Sequence, residues 1–271
     1  MNKILIHAIS DTHNRHPKIQ GLTGGDLLIH AGDFSSLGQK WEVERFIEWY
    51  AKQPYSAKVL ICGNHEVQIE REYDFRFKMM CQDAGIILLN DSSVELQFLP
   101  GKAFVDQNIP DITKFKIHGS PVTPWFYGHN WGWNRARNDA EAALYKCDLI
   151  KPHWDMIPED TDILVTHGPP YEILDEVFAV DGSSYKEHGM MPRYVGCVDL
   201  AARIKEVKPD MHIFGHIHCS HGQKHIDGVS YYNACICDEM YGPSNPITII
   251  EYEKKEPKQE NNGNKDESQP E

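Results

Sequence analysis

Eight short apolar runs rich in β-branched residues recur along the chain, each ending in a polar or glycine-containing turn: Lys3–Ile9, Asp26–Ala31, Lys58–Cys62, Phe115–His118, Asp162–Thr166, Met211–Phe214, Val229–Ala234 and Ile247–Tyr252. Runs of this length with these boundaries read as buried strands. Helical patterns lie between several of them. Lys40–Lys52 carries Trp41, Phe46, Ile47 and Tyr50 on or near one face, and Val198–Val207 carries Leu200, Ile204 and Val207. The alternation predicts an α/β architecture with buried sheets. Asp91–Asp106 departs from it, because Val94–Phe98 and Lys102–Val105 flank Pro100-Gly101 like a hairpin, so some antiparallel pairing is expected.

The chemistry sits where the strands end. Asp11-Thr-His13 follows the first run, Gly32-Asp33 the second, Gly63-Asn64-His65-Glu66 the third, and His167 and Gly215-His216-Ile-His218 two later ones. Ligands gather at the carboxyl ends of strands in an open α/β sheet, so residues as distant as Asp11 and His218 can converge. Taken singly, each motif has an ordinary structural reading as a helix cap, a turn or a core histidine. The ordered set is what points to a site. Imidazole nitrogens with carboxylate oxygens suit Mn, Fe or Zn, and one carboxylate can bridge two cations. Two cations roughly 3.5–4 Å apart can hold both oxygens of a phosphoryl displacement.

In order and in content these motifs resemble the signature of calcineurin-like metallophosphoesterases. Longer stretches, including Ile29–Phe34, Thr166–Pro170, Phe214–His218 and Asn233–Cys237, are similar to the metallophosphoesterase-domain-containing branch, related to class III cyclic nucleotide phosphodiesterases. The resemblance runs from about Lys3 to Ile250. It implies a four-layer α/β/β/α sandwich with two mixed β-sheets and a metal site at the strand C-terminal ends. It implies two divalent metal ions, Mn2+ foremost, with Fe, Zn or Mg as alternatives. Asp11, His13 and His218 would hold the first ion, Asn64, His167 and His216 the second, and Asp33 would bridge them. His65 would bind no metal but protonate the leaving oxygen, with Glu66 orienting or supporting its imidazole. The implied reaction is hydrolysis of cyclic nucleotides or similar small phosphodiesters by attack of metal-bound hydroxide. Two alternatives stay open at this point: hydrolysis of another phosphorylated metabolite or nucleotide, and a weakly active nucleotide-binding scaffold. Ser36 stands where purple acid phosphatases place a tyrosine ligand. The stretch Gly32–Gly38 also lacks the GDxVDRG pattern of protein serine/threonine phosphatases.

Charge narrows the partner. Lys and Arg number 27 against 40 Asp and Glu, a net charge of -13, which disfavours a nucleic-acid polymer or an anionic membrane. A small phosphorylated substrate, a nucleotide by the resemblance, is the expected partner. No apolar run approaches the roughly 20 residues of a membrane span, and no charged-then-apolar signal opens the chain. The 7 cysteines form no CxxC pair and read as reduced thiols, so a cytoplasmic location is expected. A homodimer is the commonest assembly for such a chain. Residues 1–252 read as one domain, and 253–271 as a disordered polar tail without apolar residues to bury.

Outside the motifs, His7 and His30 read as core residues, and His118 ends a strand without a supporting motif. At least half of the rings in the aromatic loop Thr123–Arg135 are expected to pack as a satellite cluster, leaving one or two to stack on a nucleobase. Arg135 or Arg137 is the candidate to face phosphate or an interface. Tyr171–Arg193 reads as a surface loop, and Cys219 as a buried inert thiol.

Overall fold

Leu27 and Ile29 are buried on one face of their strand and Leu28 on the other, and this alternation sorts the core into two clusters. The computed structural model describes residues 3–126, 131–177 and 194–254. The strands are β1 (Lys3–Ile9), β2 (Gly25–Ala31), β3 (Tyr55–Ile61), β4 (Ile87–Leu88), β5 (Ser92–Leu99), β6 (Lys102–Val105), β7 (Lys114–Ser120), β8 (Thr123–Pro124), β9 (Asn134–Arg135), β10 (Ile163–Thr166), β11 (Met211–Phe214), β12 (Gly222–Ile226), β13 (Val229–Asn233) and β14 (Thr248–Glu253). The helices are α1 (Lys40–Ala51), α2 (Asp74–Asp83), α3 (Asp139–Tyr145), α4 (Lys151–Asp155) and α5 (Val198–Val207). One sheet has the order β14-β1-β2-β3-β4 and the other β12-β13-β11-β10-β7-β5-β6, with β8 and β9 paired separately. Both large sheets are mixed. In the first, β1 to β4 run parallel beside an antiparallel β14; in the second, a parallel β7, β10, β11 and β13 is flanked by antiparallel β12 and β5, with β6 pairing antiparallel to β5.

Ile6, Leu27, Ile29 and Val59 of the first sheet share a cluster with Leu96, Phe115, Val165 and Ile213 of the second. The opposite faces supply Leu28, Leu60, Leu164 and Phe214, which join Phe46, Tyr50, Phe77, Trp154, Leu200 and Ile204 of the helices. Two sheets meet face to face and helices cover them, giving the four-layer α/β/β/α sandwich. Truncating the fully buried Phe46 to alanine is expected to cost about 3–5 kcal/mol. A capping box between Gln39 and Glu42 starts α1, and Glu42 also accepts from the Asn14 amide at 2.6 Å.

The apolar runs became strands with small shifts at their ends, and the hairpin is β5 and β6 paired antiparallel. β14 continues to Glu253, which pairs with Lys3, and Lys254 Nζ reaches Asp162 Oδ2 at 2.6 Å. The sheet therefore takes in Glu253, and side-chain hydrogen bonds hold Lys254, the first two residues expected to belong to the tail; 255–271 lie outside the described residues. No helix among the described residues is long and apolar enough to cross a membrane.

One join between the sheets matters for the site. Ser10, just past β1, donates its N–H to Ala234 O at 2.8 Å and accepts from Ile236 N at 2.8 Å, forming a parallel bridge with Cys235. This brings the ends of β1 and β13 together, and with them residues more than two hundred positions apart.

Candidate metal centre

Asp11, His13, Asp33 and His216 all have left-handed backbone, with φ of 53°, 38°, 56° and 69°. Non-glycine residues rarely adopt this conformation, and it concentrates at functional sites. The neighbouring glycines are needed for close approach. A Cβ on Gly215 would fall 2.0 Å from Asp11 Oδ2, and one on Gly63 would fall 2.3 Å from Asp33 Oδ1.

These turns bring all nine expected site residues to one place. Asp11, His13 and His218 form one group, Asp33, His167 and His216 a second, and His13, Asp33 and His65 a third; within each, donor atoms lie within 4.8 Å of one another. Asp33 belongs to two of the three. Asn64 joins the second group, its Oδ1 2.9 Å from His167 Nε2.

The imidazoles are oriented by backbone carbonyls. His167 Nδ1 donates to Ala31 O at 2.9 Å, His218 Nδ1 to Asp238 O at 2.9 Å, His13 Nδ1 to Ser35 O at 3.3 Å and His65 Nδ1 to Ser36 O at 2.8 Å. Carbonyl partners take the Nδ1–H, so the Nε2 atoms of His13, His167 and His218 can present lone pairs to a metal ion. His13 Nε2 and His218 Nε2 then face each other at 3.1 Å. His167 Nε2 likewise faces Asn64 Oδ1 and, at 3.3 Å, Asp33 Oδ2. Acceptors converging on acceptors repel unless a proton or a metal ion lies among them. Asp11 Oδ1 adds to the demand: it is buried without a hydrogen-bond partner, 3.3 Å from His218 Nε2. The residues present therefore fit divalent metal ions bound through nitrogen and oxygen.

Protonation equilibria register the same crowding. Burial would raise Asp11 and Asp33, but His218, His167 and His13 hold Asp11, and His167 and His65 hold Asp33, far below the usual carboxylate range. Burial lowers His167, yet the Asp33 and Asp11 charges carry it up to about 9. His13 goes the other way, to about 4, because burial outweighs Asp33.

A family model for calcineurin-like phosphoesterases matches residues 4–220. The chain belongs to that family. It is a metal-dependent phosphoesterase and most resembles the branch expected from its motifs. It is 38% identical over 250 residues to metallophosphoesterase domain-containing protein 1 of Homo sapiens, covering 90% of this chain and 69% of that protein, and the same holds for the Mus musculus protein. Among solved structures, phosphopantetheinyl hydrolase from Mycobacterium tuberculosis superposes with a TM-score of 0.50 at 15% identity, over 87% of this chain and 90% of that one. A protein from Thermus thermophilus gives the same score and identity, over 86% and 89%. At such identity these two speak for the fold alone.

Glu66 of this phosphoesterase does not orient His65 through its carboxylate. That carboxylate is fully buried and accepts from Gly63 N at 2.7 Å, Asp33 N and Ser35 N at 2.9 Å, and Ser35 Oγ at 2.7 Å. It ties the Gly32-Asp33 turn to the Gly63-Asn64 turn. Burial and the Asp33 charge push Glu66 up to about 8, against the hydrogen bonds from Ser35 and Gly63. His65 is instead positioned by its own backbone N–H, which donates to Asp33 Oδ1 at 2.8 Å, and by Ser36 O.

Other expectations are redistributed. His118 turns away to Ser93 Oγ at 2.9 Å. Arg135 pairs with Glu70 at 3.0 Å, whereas Arg137 donates to Trp125 O at 2.6 Å beside Glu141 and lines the chamber next to the cleft. The aromatic loop divides. Trp133 is buried in the core and Trp125 stacks on Tyr145, while Trp131 lies 4.5 Å from His65 and Phe126 lies 4.9 Å from His216. Residues 127–130, and 178–193 of the second loop, lie outside the described residues.

Three contributors carried no chemical motif. Cys235 donates from Sγ to Asp11 Oδ2 at 3.2 Å, beside the His216 N–H at 2.9 Å. Burial and the Asp11 charge keep this thiol protonated. Asp238 supplies the carbonyl that holds His218. Tyr241 stands over His13 with ring centroids 4.8 Å apart. Cys219 is half-buried at the cleft, its Sγ 3.3 Å from Glu176 O. The cleft itself encloses about 270 Å³. An apolar chamber of about 620 Å³ adjoins it through Phe126, Val177, His216 and Ile217.

Proposed function

We propose that this chain is a dinuclear phosphodiesterase acting on cyclic nucleotides or similar small phosphodiesters. Asp11, His13 and His218 would hold one divalent ion, Asn64, His167 and His216 the other, and Asp33 would serve both. The shared position of Asp33, within reach of His13 Nε2 at 3.9 Å and His167 Nε2 at 3.3 Å, supports that assignment. Bound divalent ions supply Lewis acidity and a nucleophile available at neutral pH.

The observation that carries the choice of a diester is the composition of the cleft. Its described lining residues include Asp33, Glu239, His65 and Tyr241 but no Lys or Arg. A monoester dianion would bring a second negative charge to a mouth that already carries a carboxylate. A diester monoanion does not. The chain's net charge of -13 argues against a nucleic-acid polymer in the same way.

His65 holds its Nε2 3.9 Å from Asp33 Oδ2, beyond hydrogen-bond range, with Nδ1 fixed on Ser36 O. As the imidazolium, it would give a proton to the departing ester oxygen. Mn2+ is the ion the family resemblance implies, with Fe, Zn and Mg as alternatives that these nitrogen and oxygen donors could also hold. All seven cysteines are unpaired, which supports a reducing, cytoplasmic setting.

Hydrolysis of bis-p-nitrophenyl phosphate and of p-nitrophenyl phosphate by chelator-stripped protein with Mn2+ restored tests the reading. Diester cleavage should dominate and lead to a cyclic-nucleotide screen. A preference for the monoester would overturn it.

A further inference from the structure

Tyr241 is an anomaly for folding alone. It is 43% exposed and its backbone is left-handed, with φ of 58°, a conformation that a bulky residue adopts only when its surroundings impose it. Asp238 imposes it. The Asp238 carboxylate accepts from Met240 N, Gly242 N and Ser244 Oγ, each at 2.9 Å. The Asp238 carbonyl accepts at once from Tyr241 N and from His218 Nδ1, both at 2.9 Å. One loop thus fixes an imidazole of the metal centre and the ring above it. The Tyr241 ring lies 4.8 Å from His13, 5.4 Å from His218 and 6.3 Å from His65.

Trp131 reaches the same cleft from the aromatic loop. Its ring lies 4.5 Å from His65 and is backed by Phe126, at 6.2 Å with planes 12° apart. The described residues lining this cleft include no Lys or Arg, whereas they do include aromatic rings that can make contact with a substrate beyond its phosphoryl group. Two aromatic side chains beside His65 offer that contact in quantity.

We propose that Tyr241 and Trp131 are specificity-determining residues that bind a planar aromatic ester group of the substrate beside the metal centre. The inference deepens the phosphodiesterase reading and rests on it for the identity of the substrate. It selects esters of nucleosides or phenols over esters of aliphatic alcohols. Tyr241 takes no part in bond breaking. Its contribution is contact area, so phenylalanine can replace it and leucine cannot.

Equilibrium binding separates this claim from turnover. On Mn2+-loaded protein, calorimetry compares methyl phenyl phosphate with dimethyl phosphate, two monoanionic diesters that differ by one ring. The wild type should bind the phenyl ester about tenfold more tightly, the size of one stacking contact. Y241L and W131L should each lose most of that preference while keeping their metal content and their affinity for dimethyl phosphate. Y241F should retain it. An unchanged preference in both leucine variants would overturn the proposal, and so would an equal fall for both ligands. Failure of the wild type to cleave bis-p-nitrophenyl phosphate would sink the phosphodiesterase reading and leave this comparison standing.

Discussion

The backbone N–H of Asp33 donates to the Glu66 carboxylate at 2.9 Å, across 33 positions of sequence. The turn that carries the shared carboxylate is thereby tied to the turn that carries Asn64 and His65. Glu66→Ala leaves the N–H groups of Asp33, Ser35 and Gly63 without their buried acceptor. The expected loss is about 3 kcal/mol in urea unfolding, with weakened metal retention. Wild-type stability in that variant would show that the bonds are dispensable.

Asp11 is supported from the far end of the chain. Cys235→Ala removes the thiol donor on Oδ2 and should weaken Mn2+ binding about tenfold, a typical cost for losing a group that orients a metal ligand. Cys235→Ser restores a donor and should recover most of the affinity. Calorimetric Mn2+ titration decides it; equal affinities in Ala and wild type would remove Cys235 from this role.

His65 and His13 are neighbours, with ring centroids 4.5 Å apart, yet their substitutions should differ in kind. His65→Ala is expected to lower kcat by about 10²–10⁴ with metal content intact, the range for loss of a general acid. His13→Ala should lose metal as well as turnover. Elemental analysis beside kinetics separates the two, and metal loss in His65→Ala would make His65 a ligand.

Acid lability has a source outside the metal centre. Thr166 Oγ1 donates to Gly168 O at 2.7 Å, so His212 Nε2–H donates to Thr166 Oγ1, also at 2.7 Å, and its buried Nδ1 has no partner. Burial lowers His212 to about 3. The unfolded chain binds this proton near pH 6.5 and the folded one only near 3. Stability present above about pH 6.5 is therefore lost as pH falls through that window, by up to about 1.4 kcal/mol per unit. In H212Q the fall in unfolding free energy between pH 6.5 and 4.5 should be shallower by one proton. An unchanged slope would rule His212 out.

The positions of the nine candidate site residues could be read from the sequence because each follows an apolar run that ends at one end of a sheet. Asp11, Asp33, Asn64, His167 and His216 needed only the rule that parallel strands deliver their ends to one side. Tyr241 offered no such signal: it lies in a turn after the last motif, and only the Asp238 hydrogen bonds aim it. Cys235 meets Asp11 through a single bridge between Ser10 and itself, a tertiary contact without a local pattern. α2 escaped because only Phe77 and Cys81 are buried along it, too thin a stripe to read, and β12 because it is a mostly exposed edge strand of polar residues. Glu66 was placed at the site, but its hold on the Asp33 and Gly63 turns rather than on the imidazole itself was not legible, since nothing in Asn64-His65-Glu66 reveals which donors a buried carboxylate will meet.

The central claim is a pair of ions sharing Asp33. Mn2+ titrated into chelator-stripped wild type and Asp33→Ala, with bound metal and bis-p-nitrophenyl phosphate turnover followed together, tests it most directly. The account predicts two Mn2+ per wild-type chain, turnover that needs both, and loss of turnover with incomplete loading in Asp33→Ala. A wild type saturated by one ion, or full turnover without Asp33, would contradict it.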